Sequence, residues 1–579
     1  MPLKPFRYHK ALLNLNIRQT GWLAIVNFLV LLFSVPLQVF FAWEHRQAIG
    51  HSPSDFAHYH NLFSEYFDVQ FVLMIGFPVL LSMVLFRYLH HRTACDFFHS
   101  LPIRRGTLYA HFTTIGVAYI LLPLLLNGAI LLLMRTALSE MNFFYRYKDV
   151  GYWVTVTGTF ELLIFAAGVF VAFLSGMSSA QAVLTYILLL FPTGIMDLIF
   201  VNLRFFLFGL LPDYYNENTL MSLSPLTDAA LNLAYDKNTL QWEKIIVYLA
   251  FVILFLSLSL WLYKKRPLEA VSQAIIFRQL RPIFKYGVTF CSMLLGGAYF
   301  GSVGNNLVWV FIGYLTGSLI GYFIAEMVLQ KSWRVFTHIR GYLWFAAAAT
   351  ILILLAQADV TGFQHRVPDL KDIKRVYFSS NSFAYLQKLK ANAPYIADGI
   401  FPYAEPYLYE SKNIETIREL HKEIIKNKSK LTNKDIYPET VFIAYELKNG
   451  HRVIREYHLP DGNPYAAYLR RIYNSKEYKE SEFAVLHIRP EQVAEIKITP
   501  NDSDVKKGLI TEADQIHDAL EALKEDIMKV EVVPNTIYNS DAMITVQLKT
   551  GKNKQFDMPF NDNYSRFERV LQEYGLLDK

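Results

Sequence analysis

Few residues in this chain are placed to do chemistry. The sequence holds no Gly-x-x-x-x-Gly-Lys-Ser/Thr phosphate loop, no His-Glu-x-x-His zinc motif and no Gly-x-Ser-x-Gly nucleophile turn. The chain is therefore expected not to be an enzyme. His45, His51, His58 and His60 crowd one loop, and His58-Tyr59-His60 offers two metal ligands. No Asp, Glu or Cys stands beside them at a recognisable ligand spacing, so a solvated loop without metal is expected. What remains is a set of polar residues inside apolar runs: Asp68, Asn127, Glu161, Asp197 and Arg204. At about 1.5 Å of rise per residue they fall mostly in the outer half of a bilayer. An ionisable group there costs roughly 2.5 kcal/mol or more unless it is paired or wetted. Two readings stand side by side. One is a wetted vestibule forming a candidate substrate path. The other is a structural pairing such as Asp197 with Arg204, two turns apart if their helix continues past Gly194.

Membrane helices must hold these residues. About nine apolar runs are long enough to span, since about 20 residues cross the hydrocarbon. They are Gly21–Ala42, Phe67–Leu89, Ala110–Met134, Trp153–Leu174, Ala180–Leu211, Ile245–Tyr263, Tyr286–Val303, Leu307–Leu329 and Tyr342–Ala358. Pro192-Thr193-Gly194 is expected to break the fifth, because proline removes a backbone bond. Basic residues gather in alternate connectors: Arg87, Arg92, Arg104 and Arg105, then Lys264, Lys265 and Arg266, then Lys331, Arg334 and Arg340. That asymmetry puts those connectors in the cytoplasm. The basic start, Lys4–Arg18, reads as an interfacial helix on the same leaflet. Nine spans beginning inside end outside, so the residues after the last span are expected to be extracytoplasmic. Gly297-x-x-x-Gly301 and Gly313-x-x-x-Gly317-x-x-x-Gly321 predict close helix packing, within the chain or across a dimer.

The connector between the second and third runs contains Asp96, Phe97, Phe98, Ser100, Leu101, Pro102, Ile103, Arg104 and Arg105. A plain turn needs only polar residues. An apolar set broken by proline suits a short helix docking against another protein, the alternative being an amphipathic loop resting on the inner leaflet. The run Ser-Leu-Pro-Ile-Arg-Arg resembles the first cytoplasmic loop of type 2 ABC export permeases. With the basic start, the Arg266–Lys285 segment and the C-terminal domain, the chain is most similar to the Ytr-type permeases of Gram-positive bacteria. The resemblance implies that Asp96–Arg105 is a coupling helix seated in a groove of a cytoplasmic ABC ATPase subunit. That partner would bind ATP and Mg, leaving no cofactor in this chain. It also implies a second permease (the same chain or a paralogue), a bacterial plasma membrane and a cytoplasmic N-terminus. Export linked to the cell envelope follows, although Ytr-type systems have been tied both to acetoin uptake and to cell-wall or antibiotic stress. The rival reading is a membrane-anchored sensor or scaffold whose outer domain binds a ligand and signals inward without transport.

Composition supports the division this requires. Of the 579 residues 53% are apolar, and charge is sparse in the apolar runs before residue 360 and dense after it. We read 1–263 as a six-span core with its N-terminal interfacial helix, 264–359 as a basic segment plus three spans, and 360–579 as a water-soluble α+β domain. A net charge of +6 reflects Lys and Arg in the connectors, and no basic face points to nucleic acid. The two cysteines, Cys95 and Cys291, give no disulfide, and no cleavable signal is evident.

The C-terminal region repeats itself. Ile443-Ala444-Tyr445-Glu446-Leu447-Lys448-Asn449-Gly450 matches Ile544-Thr545-Val546-Gln547-Leu548-Lys549-Thr550-Gly551, each inside a hairpin pattern. Helical sets flank both, Ile414–Ile424 with Ala513–Leu523 before and Tyr465–Ile472 with Tyr564–Leu571 after. A strand precedes each copy, Ile373–Phe378 and Val493–Ile498. The expected fold is a duplicated α+β module. The first copy carries an insertion, 379–410, whose Tyr395, Phe401, Tyr403, Tyr407 and Tyr409 form a candidate ligand or partner surface. The alternatives are packing between the copies or resting on the membrane.

Overall fold

The computed structural model describes residues 10–49, 62–63, 67–138, 141, 144–215, 220–233, 240–267, 271, 273–304, 306–336, 339–389, 407–428, 439–459, 465–500, 508–531, 542–549, 555–560 and 563–575. The chain divides into two compact units. The first is Met1–Asn202 with Tyr215–Thr350, and the second is Leu203–Tyr214 with Ile351–Lys579.

The first unit is helical: α1 (Lys10–Thr20), α2 (Trp22–Ser34), α3 (Pro36–Ile49), α4 (Phe67–Leu85), α5 (Arg92–Ser100), α6 (Arg105–Ala137), α7 (Tyr147–Leu174) and α8 (Ser178–Leu203). The short α9 (Pro212–Tyr215) falls almost wholly in the second unit; α10 (Pro225–Leu233), α11 (Trp242–Lys265), α12 (Leu280–Gly304) and α13 (Leu307–Gln330) return to the first, and α14 (Ile339–Gln357) crosses from the first unit into the second after Thr350. Among the described residues nine helices are long and apolar enough to cross a membrane, counting α2 and α3 as one. That is the pattern of a multi-pass membrane protein.

The most enclosed of the nine is α7, packed against α4, α6 and α11, with Trp153, Phe160 and Phe165 wholly buried. Pro123 sits inside α6 and cannot bond the Tyr119 carbonyl four residues back. Asn27 of α2 donates its Nδ2 to that oxygen at 3.3 Å. Asn127 returns the favour, donating to Phe28 O of α2 at 3.2 Å and to Pro123 O at 2.9 Å. In lipid every backbone group must be satisfied within the protein, so this proline is held by its neighbour helix.

The fifth span differs from expectation. Helix α8 runs unbroken through Pro192 and stops at Leu203, so the break at Pro192–Gly194 is absent and the span does not reach Leu211. The segment 220–233, expected as part of an outer loop, instead lies against helices. Thr193 Oγ1 donates to Leu220 O at 2.8 Å, and Ser224 donates to Leu189 O. From α10, Leu226 packs with Val79, Ile164, Ala167 and Leu189 of α4, α7 and α8.

Helices α12 and α13 form the closest pair. A Cβ on Gly296 would lie 2.3 Å from Gly313 O, and one on Gly313 would lie 2.2 Å from Gly296 O. Gly317 and Gly321 face Ser292 in the same seam. Small residues four apart therefore pack within this chain, and the α12 side runs through Ser292, Gly296 and Gly297, where a Cβ on Gly297 would lie 2.1 Å from the Tyr314 ring of α13.

The second unit holds two four-stranded antiparallel sheets. The first has the order β2 (Tyr407–Leu408), β1 (Ile373–Ser379), β3 (Glu439–Leu447), β4 (Arg452–Leu459). The second has the order β6 (Gly508–Ile510), β5 (Val493–Pro500), β7 (Ala542–Leu548), β8 (Gln555–Phe560). The helices are α15 (Phe383–Leu389), α16 (Ser411–Lys426), α17 (Ala466–Tyr473), α18 (Lys476–Glu482), α19 (Ala513–Lys529) and α20 (Ser565–Glu573). Strand order is not the only common feature. The register shifts between Ile373 and Arg375 in one sheet and between Val493 and Glu495 in the other. Lys448 N donates to Asp372 O at 2.9 Å, and Lys549 N to Gln492 O at 2.8 Å.

The two sheets differ in their second faces. Val441, Phe442, Ile443, Ala444 and Tyr445 are all buried, so β3 is covered on both sides. Strand β7 alternates instead: Ile544 and Val546 are buried, while Gln547 is exposed.

Candidate coupling site around α5

Helix α5 ends where Leu101 turns extended (φ −68°, ψ 144°), the conformation proline imposes on the residue before it. Arg105 then opens α6, so the whole connector is one short helix and a tight exit. Its side chains part into two sets. Asp96, Phe97, Ser100, Pro102 and Arg104 are exposed, Phe97 at 55%. Cys95 is buried, and Phe98, His99, Leu101, Ile103 and Arg105 are half-buried. The Phe98 ring lies 5.0 Å from Tyr88 and 5.8 Å from Phe112, and Ile103 packs into the same cluster. Phe98 thus anchors α5 to its own unit, while Phe97 is the large apolar side chain left free to meet something else.

Beneath α5 lies a knot of helix ends. His99 Nδ1 is 2.7 Å from Cys95 O, which makes Nδ1 the protonated nitrogen, and Nε2 accepts from Tyr263 OH at 3.0 Å. Burial pushes the His99 pKa down, partly offset by the bond to Cys95. The Arg105 guanidinium donates to Tyr263 O and Arg266 O, both at 3.1 Å, closing the end of α11. Arg266 is 3% exposed and donates to Ala172 O of α7 at 2.6 Å and to Leu89 O at 2.9 Å. Cations suit the carbonyl ends of helices, where the macrodipole is negative. Burial brings the Arg266 pKa down to about 10, which leaves it charged at neutral pH. The segment after it pairs with the end of α7, Ile276 N to Leu174 O at 2.9 Å and Gly176 N to Gln273 O at 2.7 Å. Hydrogen bonds therefore tie α5 and the start of α6 to the end of α11, and Arg266 ties that end to α7.

The candidate substrate-path residues do not converge. Asp68 is exposed in the first turn of α4, where a carboxylate complements the helix dipole. Asn127 is the α2–α6 tie described above. Asp197 is half-buried on α8, whereas Arg204 falls just beyond the end of that helix, exposed and 5.6 Å from the Phe205 ring. The two are thus not two turns of one continuous helix. Glu161 stands apart: it is wholly buried in α7, and neither carboxylate oxygen has a hydrogen-bond partner among the described residues. Of the candidate surface aromatics, Tyr395, Phe401 and Tyr403 lie outside the described residues, as do His51, His58 and His60. Tyr407 is buried, its hydroxyl donating to Glu446 Oε1 at 3.2 Å with Arg375 stacked at 3.9 Å. Burial raises the Glu446 pKa, and Arg375 and Arg452 more than offset it, leaving that carboxyl below its usual range. Tyr409 is exposed and accepts from Arg375 at 3.2 Å.

Sequence reading missed His99, Arg266 and Asp228. Asp228 of α10 is buried and accepts from Lys244 (2.6 Å), Tyr248 (2.7 Å) and Asn232 (2.8 Å). The interval of four between Asp228 and Asn232 was the visible signal for that cluster, while nothing local marks Arg266 as buried.

A family model described as a domain of unknown function, DUF6449, matches residues 445–572. That stretch runs from within β3 to α20 and contains neither α5 nor any spanning helix. No curated protein and no solved structure matches the chain.

Proposed function

We propose that this chain is the permease subunit of an ABC transporter, of the type 2 export class and similar to Ytr-type permeases. In this reading α5 docks into a cytoplasmic ATPase subunit, which binds ATP and Mg, and a second permease completes the channel. The protein sits in a bacterial plasma membrane with its N-terminus inside. The second unit faces outward and is a duplicated module, supported by the common strand order, register shift and loop bond of its two sheets. Export linked to the cell envelope is the proposed task, with Glu161 as the buried polar group closest to a role in substrate passage. An unpaired carboxyl in an apolar bundle is costly enough that a merely structural position would favour its loss.

One observation carries this reading. α5 turns Phe97 and Asp96 outward while Phe98, His99 and the Arg105–Arg266 knot bind its inner face to the ends of α7 and α11. A loop that only rested on lipid would need the outward face but not the knot. The test is co-purification of an ABC ATPase from the same cells with Phe97→Ala and Phe98→Ala proteins. Phe97→Ala should weaken binding about 5- to 150-fold, the effect of losing roughly 1–3 kcal/mol at a buried anchor, without lowering the amount of permease. Phe98→Ala should lower the amount of folded permease. Unchanged binding with Phe97→Ala would favour the sensor or scaffold reading.

A further inference from the structure

The apolar second face of the first sheet has an unexpected cover. Leu211, 5% exposed, packs among Tyr377, Tyr385, Tyr407, Phe442 and Ile454. Phe208 lies 4.9 Å from the Tyr457 ring, and Gly209 O accepts from Glu456 N at 3.2 Å on the free edge of β4. These residues come from the stretch directly after α8, more than 150 positions before β1 in sequence. Gly209 has φ +78°, and a Cβ there would fall 2.5 Å from the Tyr457 ring. Only glycine satisfies both the backbone and the contact.

The connection to α8 is short and stiff. Helix α8 ends at Leu203 and Phe208 is already seated five residues later. Five residues reach at most about 17 Å. Part of that reach is taken up in turns, since Phe206 N and Leu207 N both bond Leu203 O, at 3.0 and 2.7 Å. At the other side Asn202, in the last turn of α8, donates to Leu294 O of α12 at 2.9 Å. The connection through α14 is a second and separate one: six residues after Gln357, Phe363 O accepts from Arg455 Nη2 of β4 at 2.5 Å.

We propose that Leu203–Tyr214 is a transmission strap that couples movement of the first sheet of the second unit to the end of α8 and, through Asn202, to α12. The strap explains why only this sheet keeps an apolar second face, while the equivalent face around Lys497, Leu509 and Gln547 is exposed. Ligand binding or displacement at the first sheet would then reach the membrane helices without passing through α14. This holds whether or not α5 docks an ATPase.

The experiment uses full-length protein with Cys95→Ala and Cys291→Ala, spin-labelled at Met196→Cys on the exposed side of α8. Gly209→Val removes the glycine conformation, and Leu211→Ser loosens the seat more gently. Either change should speed hydrogen exchange at the Glu456 amide roughly tenfold while leaving β7 and β8 protected. The label on α8 should become more mobile in the same proteins. Unchanged exchange at Glu456, or faster exchange with an unchanged label spectrum, would overturn the proposal. So would loss of protection in β7 and β8 with both variants, because the segment would then be core rather than strap.

Discussion

Phe97 and Phe98 are neighbours of the same type, and only their surroundings give them different work. Sequence pattern marks Asp96–Arg105 as a set but cannot phase a helix of nine residues. That phase is fixed by Tyr88 and Phe112, which hold Phe98. Buried ionisable residues show the same limit. His421 is wholly buried between Tyr445 OH (3.2 Å) and Tyr457 OH (2.9 Å). Burial, then the charge of Arg455, lowers its pKa from 6.5 to about 3. The native state thus refuses a proton that the unfolded chain accepts near 6.5. This contribution to stability is complete above that pH and is lost as pH falls toward 3. Between pH 7 and pH 5 the second unit should lose about 2 kcal/mol from this residue alone. Melting of full-length protein at the two pH values checks it, with His421→Gln showing the smaller decline. Equal declines would mean that other groups carry the pH dependence.

The nine long apolar helices among the described residues were legible because an apolar run of helical length has few other destinations, and strands β1, β3, β5 and β7 were legible from their apolar runs. Continuity of α8 through Pro192 was not, since it depends on Thr193 and Ser224 tying α8 to residues near 220. Burial of Val441–Tyr445 on both faces was not read from the hairpin pattern, and nothing local told that Leu211 would supply the cover. The glycine seam was partly legible: its residues on α13 and Gly297 on α12 were visible, while Ser292 and Gly296 were not. Gly313→Ala should cost about 1–3 kcal/mol, because the added methyl meets Gly296 backbone that cannot yield. Gly287→Ala, on the same pair but with open space around it, should be neutral or stabilise by up to about 1 kcal/mol. Thermal unfolding in detergent distinguishes them, and equal effects would deny the seam its role in stability.

The chain passes between the two units three times, after Asn202, after Tyr214 and after Thr350. Division at residue 360 in sequence therefore misses Leu203–Tyr214, and also 351–359, which belong to the second unit. Composition could not reveal this, because Phe205–Leu211 continues the apolar run of the span it follows. The proposed orientation makes a prediction of its own. In cells lacking the native cysteines, an impermeant thiol reagent should label Lys497→Cys and spare Ser100→Cys, both at exposed positions. The reverse pattern would invert the membrane topology and remove α5 from the cytoplasm.

Docking of α5 is the claim on which the transporter reading rests, and a photoreactive amino acid at position 97 tests it most directly. Illumination of membranes containing the co-expressed ATPase should join the two subunits from position 97. The same group at position 98 should react only within the chain, where Tyr88 and Phe112 surround it. Adducts to lipid alone from position 97, at ATPase levels that saturate the membranes, would contradict the account.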